Sequence, residues 1–398
     1  MSTTTSRDGA SVSGKYIQLF AIVFIVLSSA VGSWHKELVL LSAIVAGVND
    51  LQGQQQRKLT SSDTETREEP KEPWEPMPIS ELTRGNQPLP NCTYPYVAVA
   101  DIIAETDPYL EADGVTRRKI PRSIHLAWVS ANDAAPRQGR CLHYLQAETF
   151  QKWNTAFPNY SVYFHDDDAV DALLDPKNWP EFPQLGQAMK CAKMRGAMLV
   201  DIWRLLVLYK YGGFYADLDL LPKPDFTEDI ISPDVDFFAF SDAWSRPTQG
   251  SFAMAPGHPI GYYNIHEVMS RILNLDDIAH LKLVFVTGPE AFKFGYGLAL
   301  GWKKDLIFGK GTFKGDYNAT AKKVGHFEKD KVGMQTNVDY IVQLPGGGNM
   351  TYKEKIKEDT GVRHWQKEMR EISKRVPQMS CREYLYKLER ETARFPHQ

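Results

Sequence analysis

Residues 195–225, RGAMLVDIWRLLVLYKYGGFYADLDLLPKPD, constrain the fold more tightly than any other stretch of the chain. Met198, Ile202, Leu205, Leu206 and Tyr209 recur at three- and four-residue spacing, which predicts a helix with one wide buried face. Gly212 and Gly213 end it, as glycines do at helix C-termini. From Phe214 the period becomes two: Phe214, Ala216, Leu218 and Leu220 fall on one face of a strand, and Tyr215, Asp217 and Asp219 on the other. Two carboxylates are thus expected to share one face.

Like charges two residues apart beside a sheet core repel each other and resist desolvation unless a cation sits between them. Oxygen-only ligands suit a hard ion, Mn²⁺ or Mg²⁺, which fills its remaining positions with water and phosphate oxygens. A solvated strand end would show the same bare pattern. Residues 166–168 and 234–236 also read Asp-x-Asp, but neither follows a helix and a Gly-Gly turn, so both are read as loop acids.

The chain of 398 residues is 43% hydrophobic, enough for a substantial core, and its net charge of -3 gives no general attraction to nucleic acid. Residues 1–15 are polar, and residues 16–34 carry no charge over a length that just spans a bilayer as a helix. The preferred reading is a cytoplasmic tail followed by an uncleaved signal anchor, making a single-pass type II membrane protein. A signal peptide cleaved near Ala30-Val31-Gly32 is the rival. Residues 35–90 end in a Gln-, Thr-, Glu- and Pro-rich segment that reads as an extended stem.

Residues 91–398 are then the lumenal domain, with a motif core at 118–292 and folding expected to start near Arg118. Four glycosylation acceptor patterns, at Asn91, Asn159, Asn318 and Asn349, lie beyond the anchor and support secretory exposure. Cys92, Cys141, Cys191 and Cys381 also lie beyond it; they allow two disulfides in three pairings, or free buried thiols.

Within the domain, Ile124, Leu126 and Trp128 alternate with Ser123, His125 and Ala127 in a first core strand, with His125 read as structural. A helix over 141–157, a strand over 162–164 and the central stretch follow. Then come a strand over 235–240, a loop with Gly250, Pro256, Gly257 and Pro259, a helix over 260–273, and a charged helical tail from Tyr352. This order predicts an α/β fold with crossover helices.

The blocks IPRSIHLAWVS, KWNTAFPNYSVYFHDDD, LVDIWRLLVLYKYGGFYADLDL and VTGPEAF resemble the DXD sugar-transfer family, glycosyltransferase family 32. That family includes initiating outer-chain α-1,6-mannosyltransferases and inositol phosphoceramide mannosyltransferases, and its core is similar to that of the large glucosylating toxins. The resemblance implies a GT-A-like fold binding a nucleotide sugar through a divalent metal. It implies Asp219 as the more direct metal ligand and Asp217 on the ribose or a metal-bound water. It also implies Asp201 and Arg204 on the donor, Trp128 stacked on the base, and Tyr215 helping to hold the donor.

A late histidine completes the metal site in many such enzymes. His364, within Arg363-His364-Trp365, is the better match, without the Gly-Ser-Trp that often follows, and His326 is second. The segment SFAMAPGHP resembles the family's cover over the donor sugar, with Asp242 upstream as an acceptor-side acid.

The expectation is a retaining glycosyltransferase of the Golgi or endoplasmic reticulum. It would move a hexose, mannose from GDP-mannose first, to a glycan or glycolipid hydroxyl. UDP-galactose or UDP-N-acetylglucosamine use is the alternative, as is a non-catalytic binding protein on the same fold. A metal-dependent phosphohydrolase is a further rival.

Overall fold

A computed structural model describes residues 77–85, 87–130, 137, 139–193, 196–241, 247–299, 311–313, 332–336, 341–343, 370 and 373–394. Chain contacts separate 1–74 from 75–398, and every described residue belongs to the second unit. The expected tail and anchor therefore lie outside the described residues. Among the described residues no helix is long and apolar enough to cross a membrane.

Eleven strands are described: β1 (Tyr96–Ala98), β2 (Ser123–Ala127), β3 (Cys141–His143), β4 (Ser161–His165), β5 (Gly213–Ala216), β6 (Leu220–Pro222), β7 (Phe237–Ser241), β8 (Pro247–Met254), β9 (Gly311–Phe313), β10 (Val332–Thr336) and β11 (Ile341–Gln343). The helices are α1 (Ile79–Leu82), α2 (Tyr144–Ala156), α3 (Asp167–Leu174), α4 (Leu185–Cys191), α5 (Gly196–Tyr211), α6 (Pro259–Leu273), α7 (Leu283–Val286), α8 (Pro289–Ala299) and α9 (Cys381–Arg394).

Seven strands form one mixed sheet in the order β4-β2-β5-β8-β7-β10-β9. β4, β2 and β5 run parallel, linked by α2 and by α3 to α5, while β8 lies antiparallel between β5 and β7. This central mixed sheet with crossover helices fits the expected GT-A-like α/β class. Two small sheets, β1-β3 and β6-β11, flank it.

Both faces of the sheet are covered, and the period-two reading sorts the core. Ile124, Leu126, Phe214, Ala216 and Leu218 join one cluster with Trp153, Phe157 and Phe226. Ala127 and Tyr215 join the other, beneath α5, α6 and α8. The helix α5 departs from its predicted single buried face. From Met198 to Leu208 all but one residue is buried, because α5 is enclosed between the sheet and neighbouring helices. Asp201 and Arg204 are buried with it, so their charges have to be compensated inside the protein.

Several boundaries differ from the sequence reading. Packing begins well before Arg118: Leu82 is in the core, and Arg140 donates to the carbonyls of Thr83 and Val99 while pairing with Asp101 at 2.5 Å. The expected helix at Cys141 starts instead as the short strand β3, and His143 then caps α2. The expected loop at Gly250 is strand β8, and only a tight turn with Gly257 at positive φ separates it from α6. Of the tail expected to be helical from Tyr352, residues 373–380 are turns and bends and Cys381–Arg394 forms the helix α9, with Cys381 joined to Cys191 of α4. Cys92–Cys141 is the second disulfide, so all four cysteines are paired and the free-thiol alternative is excluded.

Candidate active site

The Gly-Gly turn fixes where the acids emerge. Gly212 and Gly213 hold φ of +69° and +98°; a Cβ on Gly212 would lie 2.6 Å from Pro256 Cδ, and one on Gly213 would lie 2.3 Å from Ser123 Oγ. Only glycine permits both the backbone conformation and the close approach. The Gly212 carbonyl faces Nε2 of the fully buried His125 at 3.1 Å, and His125 Nδ1 meets His165 Nε2 at 3.1 Å. Burial lowers the His125 pKa to about 4, so this histidine is neutral and structural, as expected.

β5 ends at Ala216, one residue before the first acid. Asp217 and Asp219 therefore lie in the turn that follows, not on a strand face: Asp217 N–H donates to Gly250 O at 2.7 Å, and Leu220 N–H closes back on Asp217 O at 2.9 Å. Both acids are partly exposed, with the Asp217 side chain 34% accessible. Asp217 thus follows the carboxyl end of β5 as Trp128 follows that of the neighbouring parallel strand β2, the edge where open α/β sheets bind ligands. Trp128 is half-buried against the second cluster.

Arg204 links the helix to the acidic turn. Nη2 pairs with Asp201 at 3.0 Å, while Nη1 pairs with Asp217 at 3.1 Å and donates to Gln249 O at 2.7 Å. The guanidinium also lies 4.6 Å from the ring centre of the buried Tyr215, whose hydroxyl donates to Asp217 Oδ1 at 2.5 Å. Burial works against the Arg204 charge, but Asp217, Tyr215, Asp201 and Asp219 together raise its pKa, so it stays protonated. Burial raises Asp201 to about 6 against the opposing pull of Arg204 and the Thr287 hydroxyl, which donates to Asp201 Oδ2 at 2.8 Å. Burial likewise raises the Tyr215 phenol, which remains a donor.

With Asp201 ionised, this group sets three carboxylates against one guanidinium. The excess negative charge falls on the partly exposed acids. Their oxygen-only donor set fits a hard divalent cation held by Asp219 and Asp217, with water and phosphate oxygens completing it. Among the described residues no cluster of three or more metal-ligating side chains occurs. His364, its runner-up His326 and the acceptor-side Asp242 lie outside the described residues.

Of the other two Asp-x-Asp sequences, 234–236 lies in the turn before β7, as expected of loop acids, whereas 166–168 runs into the start of α3. Asp166 caps α3 through Ala169 N–H, and Asp167 is fully buried and accepts from Ser130 N–H and Oγ–H. Asp236 is fully buried, 3.3 Å from His258 Nε2. The sequence reading also missed Gln249, Gly250 and Thr287. Thr287 lies inside the VTGPEAF block, which drew attention to the segment but not to the residue. Gln249 and Gly250 contribute main-chain carbonyls, which leave no mark in side-chain patterns.

Residues 145–237 match the family model described as the glycosyltransferase sugar-binding region containing a DXD motif. The search of curated proteins finds no match. Among solved structures, one titled PaToxG Glycosyltransferase is similar at 16% identity and a TM-score of 0.32, over 45% of this chain and 69% of that one. Because the family match contains Asp201, Arg204, Asp217 and Asp219, it supports a DXD glycosyltransferase.

Proposed function

We propose that the protein is a retaining hexosyltransferase that moves mannose from GDP-mannose to a hydroxyl of a glycan or glycolipid. The observation that supports its donor site is the Asp201–Arg204–Asp217 chain, which brings buried charge from α5 to the acidic turn at the carboxyl edge of the sheet; mannose and retention rest on the family resemblance. Asp219 and Asp217 would hold a divalent ion, Mn²⁺ or Mg²⁺, which would supply charge neutralisation for a departing diphosphate. Arg204 orients Asp217 through their 3.1 Å ion pair, and it acts with Asp201 on the donor sugar. Trp128 receives the nucleotide base, and Tyr215 fixes the Asp217 carboxylate. With no carboxylate assigned as a covalent nucleophile, attack and departure on the same face of the sugar account for retention.

A type II anchor at 16–34, a stem and a catalytic domain in the lumen of the Golgi or endoplasmic reticulum complete the reading. Two disulfides and the exposed acceptor asparagines Asn91 and Asn159 support the oxidising, glycosylating compartment. Full-length protein in detergent, offered GDP-mannose, UDP-galactose, UDP-N-acetylglucosamine and UDP-glucose with Mn²⁺, tests the donor. Metal-dependent GDP-mannose binding and transfer, lost in D219A, is the expected result. Preference for a UDP-sugar overturns the mannose assignment. Failure of folded protein to bind any donor overturns the enzymatic reading, and diphosphate cleavage without acceptor points to a phosphohydrolase.

A further inference from the structure

Four buried residues from three separate segments close into one hydrogen-bonded circuit. Arg204 and Asp201 come from α5, Gln249 from β8, and Thr287 from the turn between α7 and α8. Asp201 pairs with Arg204, Thr287 Oγ1 donates to Asp201, Gln249 Nε2 donates to Thr287 O at 2.8 Å, and Arg204 donates to Gln249 O. Each is at most 7% exposed, so water is a poor substitute for any link.

We propose that Thr287 and Gln249 are positioning residues for the acidic turn: by holding Asp201 and the Arg204 guanidinium in one register, they aim Nη1 of Arg204 at Asp217. The proposal rests on the donor-site reading above and adds two residues to it. Arg204 lies between two carboxylates that compete for it. Thr287 fixes Asp201 from the side opposite Arg204, and the Gln249 carbonyl takes a second hydrogen bond from Nη1, the nitrogen that reaches Asp217.

The turn that carries Thr287 is itself tightly placed. Its N–H bonds to Leu283 O at 3.0 Å, and a Cβ on the following Gly288 would approach Val284 Cα to 2.7 Å. The hydroxyl is therefore presented from a backbone with little room to adjust. The next strand residue after Gln249, Gly250, accepts the Asp217 N–H, so β8 holds the acid at its backbone while the circuit holds it through Arg204.

The test uses full-length T287V, which keeps the side-chain shape and removes the donor, beside T287S, which restores it. The expected result is a rise of about tenfold or more in donor KM for T287V with a smaller change in kcat, thermal midpoints within a few degrees of wild type, and T287S within about threefold of wild type. Equal losses in T287V and T287S, or wild-type kinetics in T287V, would overturn it.

A crystal structure of T287V provides a readout independent of turnover. Arg204 displaced from its 3.1 Å contact with Asp217 is expected, and an unchanged pair defeats the proposal even if no donor is found. Wild-type protein that turns over no donor is a failure of the functional reading alone, and the Arg204 geometry then decides the positioning role.

Discussion

Asp166–Asp168 and Asp217–Asp219 have the same spacing, and each follows a parallel strand of one sheet, β4 and β5 respectively. Their fates diverge at the next residue. After β4 the chain turns into α3, and the helix start absorbs the acids: Asp166 caps it, Asp167 is buried against Ser130, and Asp168 pairs with Arg84 at 2.8 Å and Arg137 at 2.6 Å. After β5 the chain makes a short turn into β6 instead, and the acids stay partly exposed with Arg204 behind them. The start of α3 offers orphan N–H groups, and the Asp166 carboxylate satisfies one of them.

The widest separation between the two sites is expected from single substitutions. Asp219→Asn should lower transfer by on the order of 1,000-fold, measured as kcat/KM, while leaving the thermal midpoint close to wild type. A comparable loss from Asp168→Asn would erase the contrast. Asp167→Ala should act on the other axis. It removes the Asp167 carboxylate that accepts from the Ser130 N–H and hydroxyl in the core and should cost about 2–4 kcal/mol in denaturant unfolding, with activity per folded molecule retained.

Acid sensitivity sharpens the picture of what supports both strands. His125 sits on β2 between them, and its folded pKa of about 4 lies below the ordinary 6.5. The unfolded chain therefore takes up the proton first as pH falls. The associated stability is fully present above pH 6.5 and is lost progressively between 6.5 and 4, by about 3 kcal/mol in full. Urea midpoints measured across that range should fall with acidification, and His125→Asn should flatten the slope.

Gly250→Ala should have a smaller effect, since its Cβ would come 3.0 Å from Asp217 Oδ2. A several-fold rise in donor KM with little change in stability is expected. Smallest of all, Asp168→Asn should alter stability by at most about 0.5 kcal/mol, because its ion pairs are solvent-exposed.

Much of the site was legible because it lies in one continuous stretch. The change of period at Gly212-Gly213, the paired acids after Phe214 and the Asp201/Arg204 spacing are local patterns, and each survives in the structure with a shift of only a residue or two. The extent of β5 was misjudged because Leu218 and Leu220 continue the alternation after the ladder has ended at Ala216, when Asp217 N–H turns to Gly250 O. β8 was missed because Gly250, Pro256 and Gly257 look like a loop, yet the residues before Met254 complete the sheet between β5 and β7.

The sequence by itself determined the α/β class, the helix-turn-acid stretch and the pair of carboxylates, since periodicity, glycine conformation and like-charge repulsion act between near neighbours. Only the tertiary structure decided which cysteines pair, which acids stay partly exposed, and that Thr287 and Gln249 stand behind Arg204. Those outcomes depend on segments tens to hundreds of residues apart meeting in space, and on burial, which sets whether a charge must be compensated within the protein or left to water.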